Sequence, residues 1–165
     1  MVAGALGAPA LLTASPAVAL GGTRSIVSVV PGTFTSRLGQ PSLTGSLTVQ
    51  VSESAINGDP TWSVTAQVTG FTDGATPAHT MPASALANGS NSTVLGGGGG
   101  TITEGANGTL DSPVTLFSDS GEVSANLYSG TYTNTSTLTL TPPSGSYAPS
   151  TGDTYTSVIT VTLIT

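Results

Sequence analysis

Threonine stands at every odd position from Thr131 to Thr141, and Tyr132, Leu138 and Leu140 lie between them. An alternation of period two sets one residue type on each face of an extended strand, whereas a helix would scatter it around its circumference. The period returns at the end of the chain. There Tyr155, Ile159, Val161 and Leu163 share one face, and Thr156, Thr160 and Thr162 share the other. Each stretch therefore reads as a strand with one wet side. A strand of this quality at the end of a chain is expected to close a sheet. Its partner is expected around Trp62, far earlier in the sequence.

Further strand signals are frequent. Ser25 to Val30 is short and apolar. From Ser46 to Ser52, Leu47, Val49 and Val51 oppose Thr48 and Gln50. From Thr61 to Thr69, Trp62, Val64, Ala66 and Val68 oppose Ser63, Thr65, Gln67 and Thr69. Asn57-Gly58-Asp59-Pro60 separates the last two runs, a turn signal that predicts a hairpin. A second hairpin is predicted between Val114–Phe117 and Val123–Tyr128 across Ser118-Asp119-Ser120-Gly121. Pro142-Pro143 ends the threonine strand. No stretch has helical periodicity, and Pro82 to Ala87 could make one turn, with Thr80 or Ser84 helping at its start.

The pattern predicts an all-β fold: an antiparallel β-sandwich, Ig-like or jelly-roll-like, with about seven to nine strands and little helix. Purely parallel sheets need crossover helices, for which no pattern exists. Gly96 to Gly100 is expected to be a flexible loop within one domain. Thr101-Ile102-Thr103-Glu104 follows it, without the Lys-Ser/Thr and helix of a phosphate-cradling loop, so nucleotide binding is not expected.

Charge narrows the partners. Of 165 residues only 6% are charged, against a usual ~25%. Arg24 and Arg37 are the basic residues, and the net charge is −6. Such a surface has almost nothing to pair with a phosphate backbone, so nucleic acid is excluded as an expected partner. Solubility falls to Thr, Ser, Asn and Gly. No cysteine is present, hence no disulfide, thiolate metal site or thiol nucleophile. Leu6 to Leu12 is apolar, and Ala17-Val18-Ala19 has the A-x-A form of a cleavage site. Residues 1–19 therefore read as a truncated secretion signal and 20–165 as a single extracellular β-sandwich domain.

Chemistry-bearing residues are sparse. His79 is the single histidine, with no G-x-S-x-G elbow and no cysteine for zinc, so it reads as a loop residue. The acids Glu53, Asp59, Asp73, Glu104, Asp111, Asp119, Glu122 and Asp153 fall mostly in predicted turns. Asp119, Glu122 and Asp111 do not have EF-hand spacing. No catalytic residue, metal site or cofactor is expected. Four N-x-S/T sequons start at Asn88, Asn91, Asn107 and Asn134, a number that chance alone reaches in so Ser- and Thr-rich a chain. Trp62 shares the apolar face of its strand and reads as core. Tyr128, Tyr132, Tyr147 and Tyr155 read as candidates for exposed contacts.

Trp62-Ser63-Val64, Thr69-Gly70-Phe71-Thr72 and Met81-Pro82-Ala83-Ser84-Ala85-Leu86 resemble the first part of the WxL domain of Gram-positive surface proteins. The closing motif of that family is Tyr, three residues, Leu, any, Trp, any, Leu. In this chain it would fall on Tyr155, Ile159, Val161 and Leu163. Val64 stands where the family has Leu, and Val161 where it has Trp. The resemblance runs from about Leu43 to Thr165. It implies a non-catalytic cell-surface module that associates non-covalently with wall peptidoglycan or other surface proteins. It also implies that Trp62, Val64, Tyr155, Ile159, Val161 and Leu163 carry that binding. A filament subunit assembled by β-strand addition is the alternative, with Ser25 to Val30 as the exchanged strand.

Overall fold

The computed structural model describes residues 17–19, 22–34, 42–57, 61–74, 76–97, 100–120, 127–144, 146 and 155–165. Residues 1–16 of the expected leader lie outside them. So do Gly58-Asp59-Pro60 of the first predicted turn, Gly121 to Asn126 of the second predicted hairpin, and Gly98-Gly99.

The described chain is all-β and antiparallel. In order, β1 is Ala17–Ala19, β2 Gly22–Pro31, β3 Leu43–Asn57, β4 Trp62–Val68, β5 Phe71–Thr72 and β6 Thr80–Met81. Then come β7 Leu86–Leu95, β8 Ile102–Glu104, β9 Gly108–Thr109, β10 Val114–Asp119, β11 Leu127–Leu140 and β12 Ile159–Ile164. The strands exceed the expected number because several have only two or three residues. Such short pieces lack the length for a period-two signal.

One sheet runs β1-β2-β3-β11-β7-β9 and a second runs β12-β4-β10-β8, with β5-β6 as a small third. The threonine strand, β11, is the spine of the first sheet. It pairs with β3 from Leu140↔Leu43 to Leu127↔Asn57 and with β7 on its other side. Buried residues of both larger sheets join in one core, with Leu47, Val49 and Val51 of β3 on one side and Val64, Ala66 and Leu116 on the other. This is a sandwich of two open sheets.

The first predicted hairpin does not form, and most of the second strand of the other lies outside the described residues. β3 and β4 belong to different sheets, as do β10 and β11. The Asn57-Gly58 signal encodes a local reversal but not which neighbour each strand takes. Side by side in one sheet, the apolar faces of β3 and β4 would both still need a cover. Placed in facing sheets, they cover each other, and burial decides.

The helical turn is present as a 3-10 turn, Ala83–Ala85, with Pro82 at its N-cap and no side-chain cap from Thr80 or Ser84. The glycine run is anchored at both described ends. The Gly96 N–H donates to the Thr131 carbonyl at 2.7 Å. Gly100, at φ +94°, lies so close to Asp119 that a Cβ there would overlap the carboxyl group.

Candidate functional site

The two halves of the WxL-like signature are neighbours. β12 pairs antiparallel with β4, with Ile159 opposite Val68, Val161 opposite Ala66 and Leu163 opposite Val64. Tyr155 lies just ahead of the bridge between Thr156 and Thr72. Five of the six residues that the resemblance assigns to binding are thus gathered on one sheet face, and Tyr155 joins the same core. That face points inward. Val64 is 0% exposed, Trp62 and Val161 3%, Tyr155 4%, Ile159 5% and Leu163 7%. In this fold they are core side chains, closed to contact with a partner.

The tyrosines correct an expectation. Tyr132 is 0% exposed and Tyr155 is buried, so neither offers an exposed contact. The Tyr132 hydroxyl finds its partner inside, donating to Glu53 Oε2 at 2.8 Å. An internal acceptor removes the reason for that hydroxyl to seek water. The Tyr128 side chain and Tyr147 lie outside the described residues.

Glu53 belongs to a buried polar cluster that periodicity does not reveal. Arg24 on β2 is 0% exposed. Its Nε donates to Glu53 Oε1 at 2.5 Å, and Nη2 meets the same oxygen. The guanidinium carbon lies 4.9 Å from the centre of the Trp62 ring, a cation–π distance. Trp62 meets Tyr132 and Phe117 edge-to-face, at 4.9 and 5.5 Å between ring centres. Asp119, also fully buried, sits directly opposite Trp62 across the strand pair. This cluster ties β2, β3 and β11 of one sheet to β4 and β10 of the other. Arg24 and Glu53 look ordinary in sequence. The available hint is that one of two basic residues borders the apolar Ser25–Val30 run.

A second polar group lines the inner side of β7 and β11. Asn134 Nδ2 donates to Thr93 Oγ1 at 3.0 Å and to Glu104 Oε2 at 3.2 Å. Ser136 Oγ lies 2.5 Å from Asn91 Oδ1 and 2.8 Å from Asn134 Oδ1. Asn91 Nδ2 donates to the Gly105 carbonyl at 3.0 Å. These bonds fasten the β8 segment over the first sheet. Asn88, 1% exposed, has no hydrogen-bond partner for either amide atom among the described residues.

His79 is tied to a loop rather than idle. Its Nδ1 lies 2.6 Å from Asp73 Oδ2, and its N–H donates to Asp73 Oδ1 at 2.9 Å, closing the β5–β6 connection. Asp111 accepts from Thr109 Oγ1 at 2.7 Å. Among the described residues no three His, Cys, Asp or Glu side chains gather as a metal site. Glu122 lies outside them.

The exposed counterpart of the core is a broad hydroxyl face. Strand register places Thr44 beside Thr139, Ser46 beside Thr137, Thr48 beside Thr135, Gln50 beside Thr133 and Ser52 beside Thr131. β7 continues the rows with Ser92 beside Thr135 and Val94 beside Thr133. β2 adds Val30 beside Thr48 and Ser28 beside Gln50. Side chains pair across the rows: Thr48 with Thr135 at 3.4 Å, Gln50 with Thr133 at 3.3 Å and Ser90 with Thr137 at 3.1 Å. No charged residue stands in these rows, and Val30 and Val94 lie exposed among the hydroxyls.

No known protein family, characterised protein or solved structure matches the chain. The WxL resemblance therefore rests on the motif residues themselves.

Proposed function

We propose that this chain is a secreted, non-catalytic surface module, WxL-like in organisation, that lies against the neutral glycan of a cell-wall polymer through the hydroxyl face of β3, β11 and β7. The observation that carries this reading is the uncharged Ser/Thr array. Its rows repeat at about 4.8 Å between strands and about 6.8 Å along them, the spacing of any such sheet. A regular array of hydroxyl donors and acceptors, with methyls between, suits a partner that is itself uncharged and hydroxyl-rich. It offers nothing to a polyanion. The buried signature strands lie in the facing sheet and close the core beneath this face.

The filament alternative draws less support. Ser25 to Val30 is engaged with β3 along its length, from Ser25↔Ser52 to Val30↔Thr48. Donating it to another copy would require that pairing to break.

Co-sedimentation with purified peptidoglycan tests the reading. Contact through neutral hydroxyls predicts binding that persists from low to high salt, because ion pairs are what salt screens. No binding at either salt would sink the proposal, and binding lost at high salt would move the contact to the charged residues.

A further inference from the structure

β12 is the last strand of the second sheet, and among the described residues nothing pairs with its outer side. We propose that this edge is a self-association surface, on which a second copy of the chain lays its own β12 antiparallel about a two-fold axis at Val161.

Hydrogen bonding decides which backbone groups are open. The Thr69 N–H donates to the Val158 carbonyl at 3.0 Å, so Val158 opposite Thr69 is a bonded position of the ladder to β4. Bonded and outward-turned residues alternate along an antiparallel strand. Thr160, Thr162 and Ile164 therefore bond to β4 through their backbone, and Ile159, Val161 and Leu163 turn their N–H and C=O groups to the open side.

The other edges are guarded. At the far side of the same sheet, Glu104 of β8 accepts the Thr93 N–H of β7 at 2.6 Å, and Asn91 donates to the Gly105 carbonyl at 3.0 Å, so side chains stitch the two sheets together. In the first sheet, β2 has a register shift between Ile26 and Ser28 and ends on Pro31. β1 has three residues and β9 two. Short length, bulges, proline and charge are the usual protections of an edge. β12 has six residues, with no proline, charge or register shift.

The residues of the edge select a second copy as its occupant. Antiparallel pairing about Val161 sets Val161 against Val161 of the second copy, Ile159 against Leu163, Thr160 against Thr162 and Val158 against Ile164. On the inner side, apolar pairs extend the core. On the outer side, threonine meets threonine, a favourable cross-strand pair, and Ile164, 50% exposed, gains cover from Val158. The open N–H and C=O groups of Ile159, Val161 and Leu163 meet those of Leu163, Val161 and Ile159 of the second copy. Charge favours the same occupant. Two chains of net charge −6 repel, so copies can meet only where acids are absent. Neither β12 nor its neighbour β4 contains a charged residue.

A two-fold contact closes on itself, so the product is a dimer and not a fibre. No strand leaves its own sheet, unlike an exchange of Ser25 to Val30. The axis is normal to the sheet, which turns the hydroxyl faces of both copies to the same side. On the wall-binding reading above, the dimer holds the polymer at two places.

Sedimentation equilibrium of the full chain at rising concentration tests the pairing. The mass should climb from that of one chain, 16.1 kDa, to that of two. Hydrogen exchange should slow at the amides of Ile159, Val161 and Leu163 as the dimer forms, while Thr160 and Thr162, already bonded to β4, stay unchanged. Thr160→Lys together with Thr162→Lys sets like charges opposite each other and should leave a folded monomer at every concentration. Thr160→Glu together with Thr162→Glu should do the same, and a mixture of the two forms should restore the two-chain mass. Thr135→Glu, on the hydroxyl face, should dimerise as wild type does. A wild-type chain that stays monomeric overturns the proposal. So do assemblies larger than two, a dimer that survives either charged pair, and a mixture that fails to associate. Mass and exchange are read without a wall polymer, so the result stands or falls separately from wall binding.

Discussion

Removing one member of the Arg24–Glu53 pair should cost far more than removing both. Each side chain is essentially inaccessible, 0% for Arg24 and 3% for Glu53. A buried ion held by its partner is tolerable, and one stripped of it is not, so breaking such a pair costs about 3–5 kcal/mol. Arg24→Met leaves Glu53 with the Tyr132 hydroxyl at 2.8 Å but without its countercharge. Glu53→Leu leaves the guanidinium over the Trp62 ring, a contact worth about 2 kcal/mol when desolvated, which does not replace a carboxylate. Two such losses would sum to at least about 6 kcal/mol. The double variant replaces both ions by apolar groups of similar size and should lose no more than about 2 kcal/mol, part of it the bond that the Tyr132 hydroxyl gives to Glu53. The difference is a coupling of about 4 kcal/mol. Urea denaturation of the four proteins measures it, provided their m-values agree. Single variants each within about 1 kcal/mol of wild type, or a double variant equal to their sum, would refute the reasoning.

Other perturbations probe the core and its close contacts. Trp62→Ala should lose about 3–5 kcal/mol in the same denaturation assay, because it empties a site packed by Phe117, Tyr132 and Arg24. Trp62→Phe should lose distinctly less, since it also removes an indole N–H with no partner among the described residues. Val161→Trp introduces the residue that the WxL motif has at the corresponding place. At 3% exposure the larger ring has no space, so a loss of about 1–3 kcal/mol is expected, and a stabilised variant would contradict the packing. Gly105→Ala should cost at least about 2 kcal/mol, because the added carbon would overlap the Thr115 carbonyl oxygen. An unchanged melting temperature would show that this backbone approach is looser than described.

Period-two alternation made most of the fold legible. It marks β4, β11 and β12 with their inward faces, and it pairs the last strand with the Trp62 strand, as β12 and β4 are paired. It could not assign strands to sheets. Asn57-Gly58 reads the same whether the chain returns beside itself or crosses to the facing sheet, and only the mutual burial of β3 and β4 distinguishes the two. The Arg24–Glu53–Tyr132 cluster stayed hidden because its members come from three strands and share no spacing. The sequons show the same limit. Asn88 and Asn107 have the same motif form, yet one is sealed beneath its sheet and the other stands in a surface loop. The Tyr155-to-Leu163 motif was legible as a strand but not as core, because a motif names residues without saying which way they face.

Wall co-sedimentation of the wild type beside Thr135→Glu is the most direct measurement. Thr135 is exposed at the middle of the hydroxyl rows, flanked by Thr48 and Ser92. A carboxylate there should leave the fold intact, since exposed substitutions cost about 0.5 kcal/mol or less. The account predicts that wild type sediments with peptidoglycan at low and high salt, and that Thr135→Glu stays in solution at both. Equal sedimentation of the two proteins, or none by the wild type, would contradict it.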